Sequence, residues 1–231
     1  YDSGEINLAD GADLLITAVE NTTSADAIAA DESPISLVLL DGTGSSELLD
    51  EGTPAEVRVV HASADTPAID VVVDGDLNTP LVDGLAYPNF APASGFLSVP
   101  GDTYEITVVD DATQGVEAIR IDEADFIAGT TYDVLAINSF AEVEPLILTD
   151  DYRRLETAAK VRIIHASTLA DDLSPTGVDV YVTAPGVTDL STVEPTIDNL
   201  IFGANTMFLQ LAPGDYEVTV TTDGSTDAAI P

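Results

Sequence analysis

Short runs in which apolar and polar residues take turns recur along this chain. In YEITV, Tyr104, Ile106 and Val108 fall on one side and Glu105 and Thr107 on the other. That period of two marks a half-buried strand. Runs rich in β-branched or aromatic residues stand at Val57–Ala62, Ile69–Asp74, Leu81–Tyr87, Gly95–Val99, Tyr104–Val109, Ala118–Ile121, Tyr132–Asn138 and Pro145–Thr149. Turn dipeptides separate them: Asp74-Gly75, Asp83-Gly84, Pro100-Gly101 and Ala128-Gly129,. Seven or eight such runs in about 100 residues, without helical periodicity, predict an antiparallel β-sandwich of immunoglobulin-like type,.

The pattern then repeats. VRVVHAS at Val57–Ser63 returns as VRIIHAS at Val161–Ser167. AIDVVVDG (Ala68–Gly75) is echoed by GVDVYVTA (Gly177–Ala184), and PGDTYEITV (Pro100–Val108) by PGDYEVTV (Pro213–Val220). Three matches in one order read as a duplicated domain. After Val220 the second copy lacks the counterparts of Ala118–Ile121, Tyr132–Asn138 and Pro145–Thr149. Similar segments stand near Tyr1: Glu5–Leu8, DGADLLITAV (Asp10–Val19) and SPISLVLLD (Ser33–Asp41). Val108 and Gly129 are 21 residues apart, and joining Pro231 to Tyr1 would put Val220 and Gly11 22 apart. The expected organisation is therefore tandem sandwiches, one intact over 53–157 and one split. Residues 1–52 supply the back half of a repeat and 158–231 the front half, completed by residues 1–41 of the next chain or repeat. The joining residues are Ile6, Leu8, Leu14, Ile16, Val19, Leu37 and Leu39 on one side. Val161, Ile163, Val218 and Val220 form the other. Head-to-tail subunits, a window of a long repeat polypeptide and a circular permutant all produce this pattern. The start at Tyr1 rather than Met suggests a removed leader or a piece of something longer.

Composition narrows the setting. Hydrophobic residues make up 45% of 231, enough for a core,. Against 42 acidic residues stand six basic ones, giving a net charge of −36. Such a surface repels nucleic acid and anionic membrane and attracts cations. Its self-repulsion weakens in salt, which points to a salty medium. There is no cysteine, hence no disulfide and no thiolate chemistry. No apolar run is long enough to span a membrane.

Candidate chemistry is sparse. His61 and His165 occupy matching places and read best as loop-holding side chains, since neither has a cysteine or second histidine to complete a zinc site. Asp65 and Asp70 near His61, with Asp110 and Asp111, are the candidate calcium ligands, because calcium takes 6–8 oxygens. Asp150-Asp151 and Asp171-Asp172 are further pairs, and Asn21-Thr22-Thr23 is a glycosylation sequon,. Ser94 has no serine counterpart in the echo. Nucleophile-elbow, phosphate-loop and metalloprotease motifs are absent from the sequence. Tyr104 with Tyr216, and Phe96 with Phe208, recur as core and corner residues.

Through VRVVHAS, the PAIDVVVDG stretch and the tyrosine strand after PGD, the chain resembles the family called domain of unknown function 4397. The likeness covers 56–150 and 161–222, with 1–41 as the back half of a unit. It departs at an insertion, Leu169–Thr176, and a linker, Pro185–Pro195. The resemblance implies tandem domains in exported prokaryotic surface proteins and no established activity. Together these readings predict an extracellular or cell-surface structural protein, a non-enzyme, assembling head to tail with copies of itself into a filament. No cofactor is expected beyond possible calcium. The alternative is an adhesion or glycan-binding module.

Overall fold

The period of two in the sequence reappears as burial. Along Ala55–His61 the side chains alternate between buried and half-buried, starting and ending buried. The computed structural model describes residues 1–6, 10–20, 33–112, 116–150 and 155–227. Its strands are β1 (Leu15–Glu20), β2 (Ile35–Leu40), β3 (Ser45–Leu48), β4 (Ala55–His61), β5 (Ile69–Val73), β6 (Val82–Leu85), β7 (Phe90–Ala91), β8 (Leu97–Val99) and β9 (Asp102–Asp110). They continue as β10 (Glu117–Phe126), β11 (Thr131–Ile137), β12 (Glu144–Asp150), β13 (Ala159–Val161), β14 (Val178–Thr183), β15 (Ile197–Leu200), β16 (Leu209–Leu211) and β17 (Glu217–Thr222). Among the described residues the protein is all-β apart from one short α-helix, α1 (Thr168–Leu173), and one 3₁₀ turn at Phe140–Glu142.

The chain forms two compact units. The first comprises Tyr1–His61, Thr66–Ala136 and Pro145–Arg154; the second Ala62–Asp65, Ile137–Glu144 and Leu155–Pro231. The first holds a sheet ordered β10-β9-β5-β6 and another ordered β12-β11-β4-β7, with β8 also on β4. Val57, Val59 and Val134 from one sheet and Ile69, Val71, Ile106 and Phe126 from the other line one small apolar gap, so the two sheets pack face to face,. A further sheet, β1-β2-β3, is formed by residues 15–48. The second unit holds β13-β16 and β15-β14-β17.

The eight strands expected between Val57 and Thr149 all form. Asp74-Gly75 turns with both residues at positive φ, 51° and 74°, the geometry of a tight hairpin. Two expectations need correction. The sandwich is not wholly antiparallel, because β11 pairs in parallel with β4, Tyr132 beside Val57 and Val134 beside Val59. Alternation cannot show strand direction, since the period is two either way. Asp83-Gly84 is no turn but lies within β6, where Gly84 takes φ 60° beside a register shift against β5. The insertion Leu169–Thr176 contributes most of α1, capped by Ser167 Oγ accepting from Ala170 N at 3.2 Å. Six residues are too few for helical periodicity to be read.

Across the parallel pair, Arg58 Nε donates to Asp133 Oδ1 at 2.7 Å and Nη2 to Oδ2 at 3.0 Å. Both side chains are largely shielded from water, at 28% and 11% exposure. Removing one partner strands the other charge, at about 2–3 kcal/mol for such partly buried pairs. Asp133→Ala should lower unfolding free energy by about that much in urea titration. A loss near zero would show that the pair does not hold β11 to β4.

Candidate functional site

The echoed motifs fall on like strands. β4, β5, β6, β8 and β9 correspond to β13, β14, β15, β16 and β17. Their pairings match as well: β5 lies between β6 and β9, and β14 between β15 and β17. The β4–β7 contact at Val60 and Phe90 has its counterpart in a bridge between Ile164 and Asn205. The difference lies at the outer edges. β9 pairs β5 on one side and β10 on the other, whereas β17 pairs β14 alone among the described residues. β4 carries β11 on the edge away from β7 and β8. Among the described residues β13 carries only β16.

Burial follows pairing. Ile106 in YEITV is 3% exposed, and its counterpart Val218 in YEVTV is 59% exposed. Val57 and Val59 are buried, while Val161 and Ile163 are only half-buried, as is Val220. Of the residues expected to meet these edges, Ile16 and Val19 are exposed on β1, and Leu14, Leu37 and Leu39 are half-buried. Ile6 is exposed and outside any strand, and Leu8 lies outside the described residues. Among the described residues β1 pairs β2 alone. Among those residues there are thus two sets of strand edges without a neighbour strand and with apolar side chains beside them, a liability for any lone sheet.

The second candidate is acidic. Asp70, Asp83 and Asp111 each place a carboxylate oxygen within 4.8 Å of the others, and Asp179, Asp198 and Asp223 do the same. The two triads are equivalent position by position. Asp70 and Asp179 are buried and tie the neighbouring strand: Asp70 Oδ1 accepts from Gly84 N at 2.8 Å and Asp179 Oδ1 from Asn199 N at 2.9 Å. Both donor residues, Gly84 and Asn199, sit at positive φ, 60° and 54°. Three carboxylates are a hard-oxygen set that a calcium ion could use, with remaining ligands from backbone or water. Of the sequence candidates, Asp70 and Asp111 come together. Asp65 instead accepts from Phe140 N at 2.9 Å, and Asp110 Oδ1 from Ala112 N at 2.8 Å. Asp83 and the whole second triad escaped the reading. Their signal was present as PLVDGL (Pro80–Leu85) echoed by PTIDNL (Pro195–Leu200).

His61 is fully buried, with Nε2 2.9 Å from Pro67 O and its ring edge-on to Tyr87. A carbonyl only accepts, so the ring proton sits on Nε2. His165 is likewise buried, edge-on to Phe202, and its Nδ1 accepts from Ser167 N at 3.4 Å. Both backbone amides donate to distant segments, His61 N to Asn89 O before β7 and His165 N to Ala204 O before β16. The tyrosines match too: Tyr104 and Tyr216 donate to carbonyls four residues back, Pro100 O at 2.8 Å and Ala212 O at 2.9 Å. Phe96 and Phe208 lie beneath cations, Arg58 and Arg162 respectively.

Burial pushes the His165 imidazole below its ordinary value, opposed by the Asp171 carboxylate. Unfolded, the ring binds a proton near pH 6.5 (about the model-peptide value); folded, it does so only at lower pH. Stability present above about pH 6.5 is therefore lost as pH falls through the folded pKa. His165→Gln should flatten that part of the midpoint-versus-pH curve, and curves that fall in parallel would refute the assignment. Like charges packed this closely repel at low salt. Asp83→Asn should raise the thermal midpoint by about 1–3 °C at low ionic strength and by much less at 1 M salt. A gain independent of salt would exclude relief of repulsion as the cause.

Compared with curated proteins, the sequence finds no match. The family model described as "Domain of unknown function (DUF4397)" matches residues 55–174, from the first residue of β4 past the end of α1 and over just over half of the chain. This chain belongs to the DUF4397 family.

Proposed function

We propose that this is a structural protein of the cell exterior that assembles head to tail, the open strands of residues 158–231 in one copy being completed by residues 1–41 of another. The observation carrying this reading is the contrast at one motif position, Ile106 at 3% and Val218 at 59% exposure. The same β-strand sequence is covered where a neighbour strand is present and bare where it is not. Covering a valine-sized side chain is worth about 1.5–3 kcal/mol, and edge pairing adds main-chain hydrogen bonds. A contact between unlike surfaces repeats indefinitely unless it closes a ring, so the product is a filament or surface fibre. The acidic surface, at −36, favours assembly where cations screen it. No helix among the described residues is long and apolar enough to cross a membrane.

The decisive variants are Val218→Asp and Ile16→Asp. Both side chains are already exposed, 59% and 44%, so neither change costs the single chain much core. Light scattering at rising concentration in high salt should show the parent growing beyond one chain and either variant remaining near 24 kDa. Electron microscopy should show filaments for the parent that boiling in detergent reduces to a single-chain band. A parent that stays a monomer at all concentrations would overturn the reading.

A further inference from the structure

The intact parallel pair specifies how a second copy would dock. β11 is introduced by a turn whose Gly129 has φ 73°, and β1 follows a turn whose Gly11 has φ 79°. Aligned on these glycines, AGTTYDVLAI (Ala128–Ile137) lies over DGADLLITAV (Asp10–Val19) without a gap. Each strand also has its hairpin neighbour, β12 for β11 and β2 for β1. On the other side, VRVVHAS lies over VRIIHAS without a gap. β4 and β13 therefore correspond residue by residue, as do β11 and β1. In the first unit that pair is parallel, from Thr131 beside Glu56 to Ala136 beside His61.

Resting on the head-to-tail assembly above, we infer that β1 of one copy adds in parallel to the open edge of β13 of a second copy, in the register of β11 on β4. Leu14 then lies beside Val161 and Ile16 beside Ile163, apolar against half-buried apolar. Asp13 lies beside Lys160, the only lysine in the chain. Charge agrees with register at that point: a one-residue slip would set Lys160 against Ala12 or Leu14. It would also exchange the face of Leu14, Ile16 and Ala18 for that of Leu15, Thr17 and Val19, because successive side chains alternate,. Where the intact pair sets Asp133 against Arg58, the docked register sets Leu15 against Arg162, so that ion pair has no counterpart across the contact.

The absence of cysteine makes the register directly testable. Single-cysteine variants Thr17→Cys and Ile164→Cys are mixed and treated with dibromobimane, which bridges only close thiols. Directly opposite residues on neighbouring strands lie about 4.8 Å apart. The mixture should give a covalent dimer on a denaturing gel, several-fold more than Thr17→Cys mixed with Arg162→Cys, and neither variant alone should give it. A stronger product from the Arg162→Cys mixture, or none from either while light scattering still shows assembly, overturns the register and leaves the assembly reading standing. Mixtures that stay monomeric overturn both.

Discussion

A β-strand leaves unpaired backbone groups at any open edge and needs its apolar face covered, and this constraint organises the molecule. In the first unit it is met for the central strands. β4 lies between β11 and the β7–β8 pair, β9 between β5 and β10, and the two sheets close on Val57, Val59, Ile69 and Ile106. In the second unit β14 keeps both neighbours and buries Val178 and Val180, but β13 and β17 meet fewer among the described residues, and Val161, Ile163, Val218 and Val220 are half-buried or exposed. The sequence at each position asks for cover; the difference is whether cover is present. That is why the exposed valine of β17 says more than an exposed valine elsewhere, since scattered surface apolar residues are normal.

Charge sets the conditions under which such edges can meet. Copies carrying −36 repel at long range, and the Debye length of about 8–10 Å near physiological salt screens only part of that. In the proposed contact the facing residues are apolar, Leu14 and Ile16 against Val161 and Ile163, and the charges that meet are opposite, Asp13 against Lys160. Acidic residues stand on strands as well as in loops: each triad takes two members from strands, Asp70 with Asp83 and Asp179 with Asp198, and one from the turn that follows β9 or β17, Asp111 or Asp223. The buried members, Asp70 and Asp179, spend a carboxylate oxygen on a backbone amide, so each triad serves the strand geometry whatever else it binds.

Much of the fold was legible because β-strands write a short local code. YEITV and VRVVHAS fixed strand positions and, by recurring, the correspondence between the two sets of strands. Strand direction was not legible: β11 on β4 is a long-range pairing, and alternation is the same in both senses. Nor was the convergence of Asp83 with Asp70 and Asp111, because it depends on the bulge at Gly84 that moves one strand against another. The histidines were read correctly as sharing one position, and the structure gives both a buried ring edge-on to an aromatic residue. Glu5 and Ile6, read as part of a strand, lie outside one. Their apolar content is slight, and in the corresponding place β10 is held by β9 rather than by its own pattern.

Amide hydrogen exchange on β13 and β17 as a function of protein concentration tests the central claim most directly. If a second copy completes these edges, the outward amides of Val218 and Val220 become protected in the assembled protein, approaching those of Ile106 and Val108 in β9. That protection is then lost on dilution to the single chain. Fast exchange at every concentration, or protection that dilution leaves unchanged, would contradict completion by a second copy.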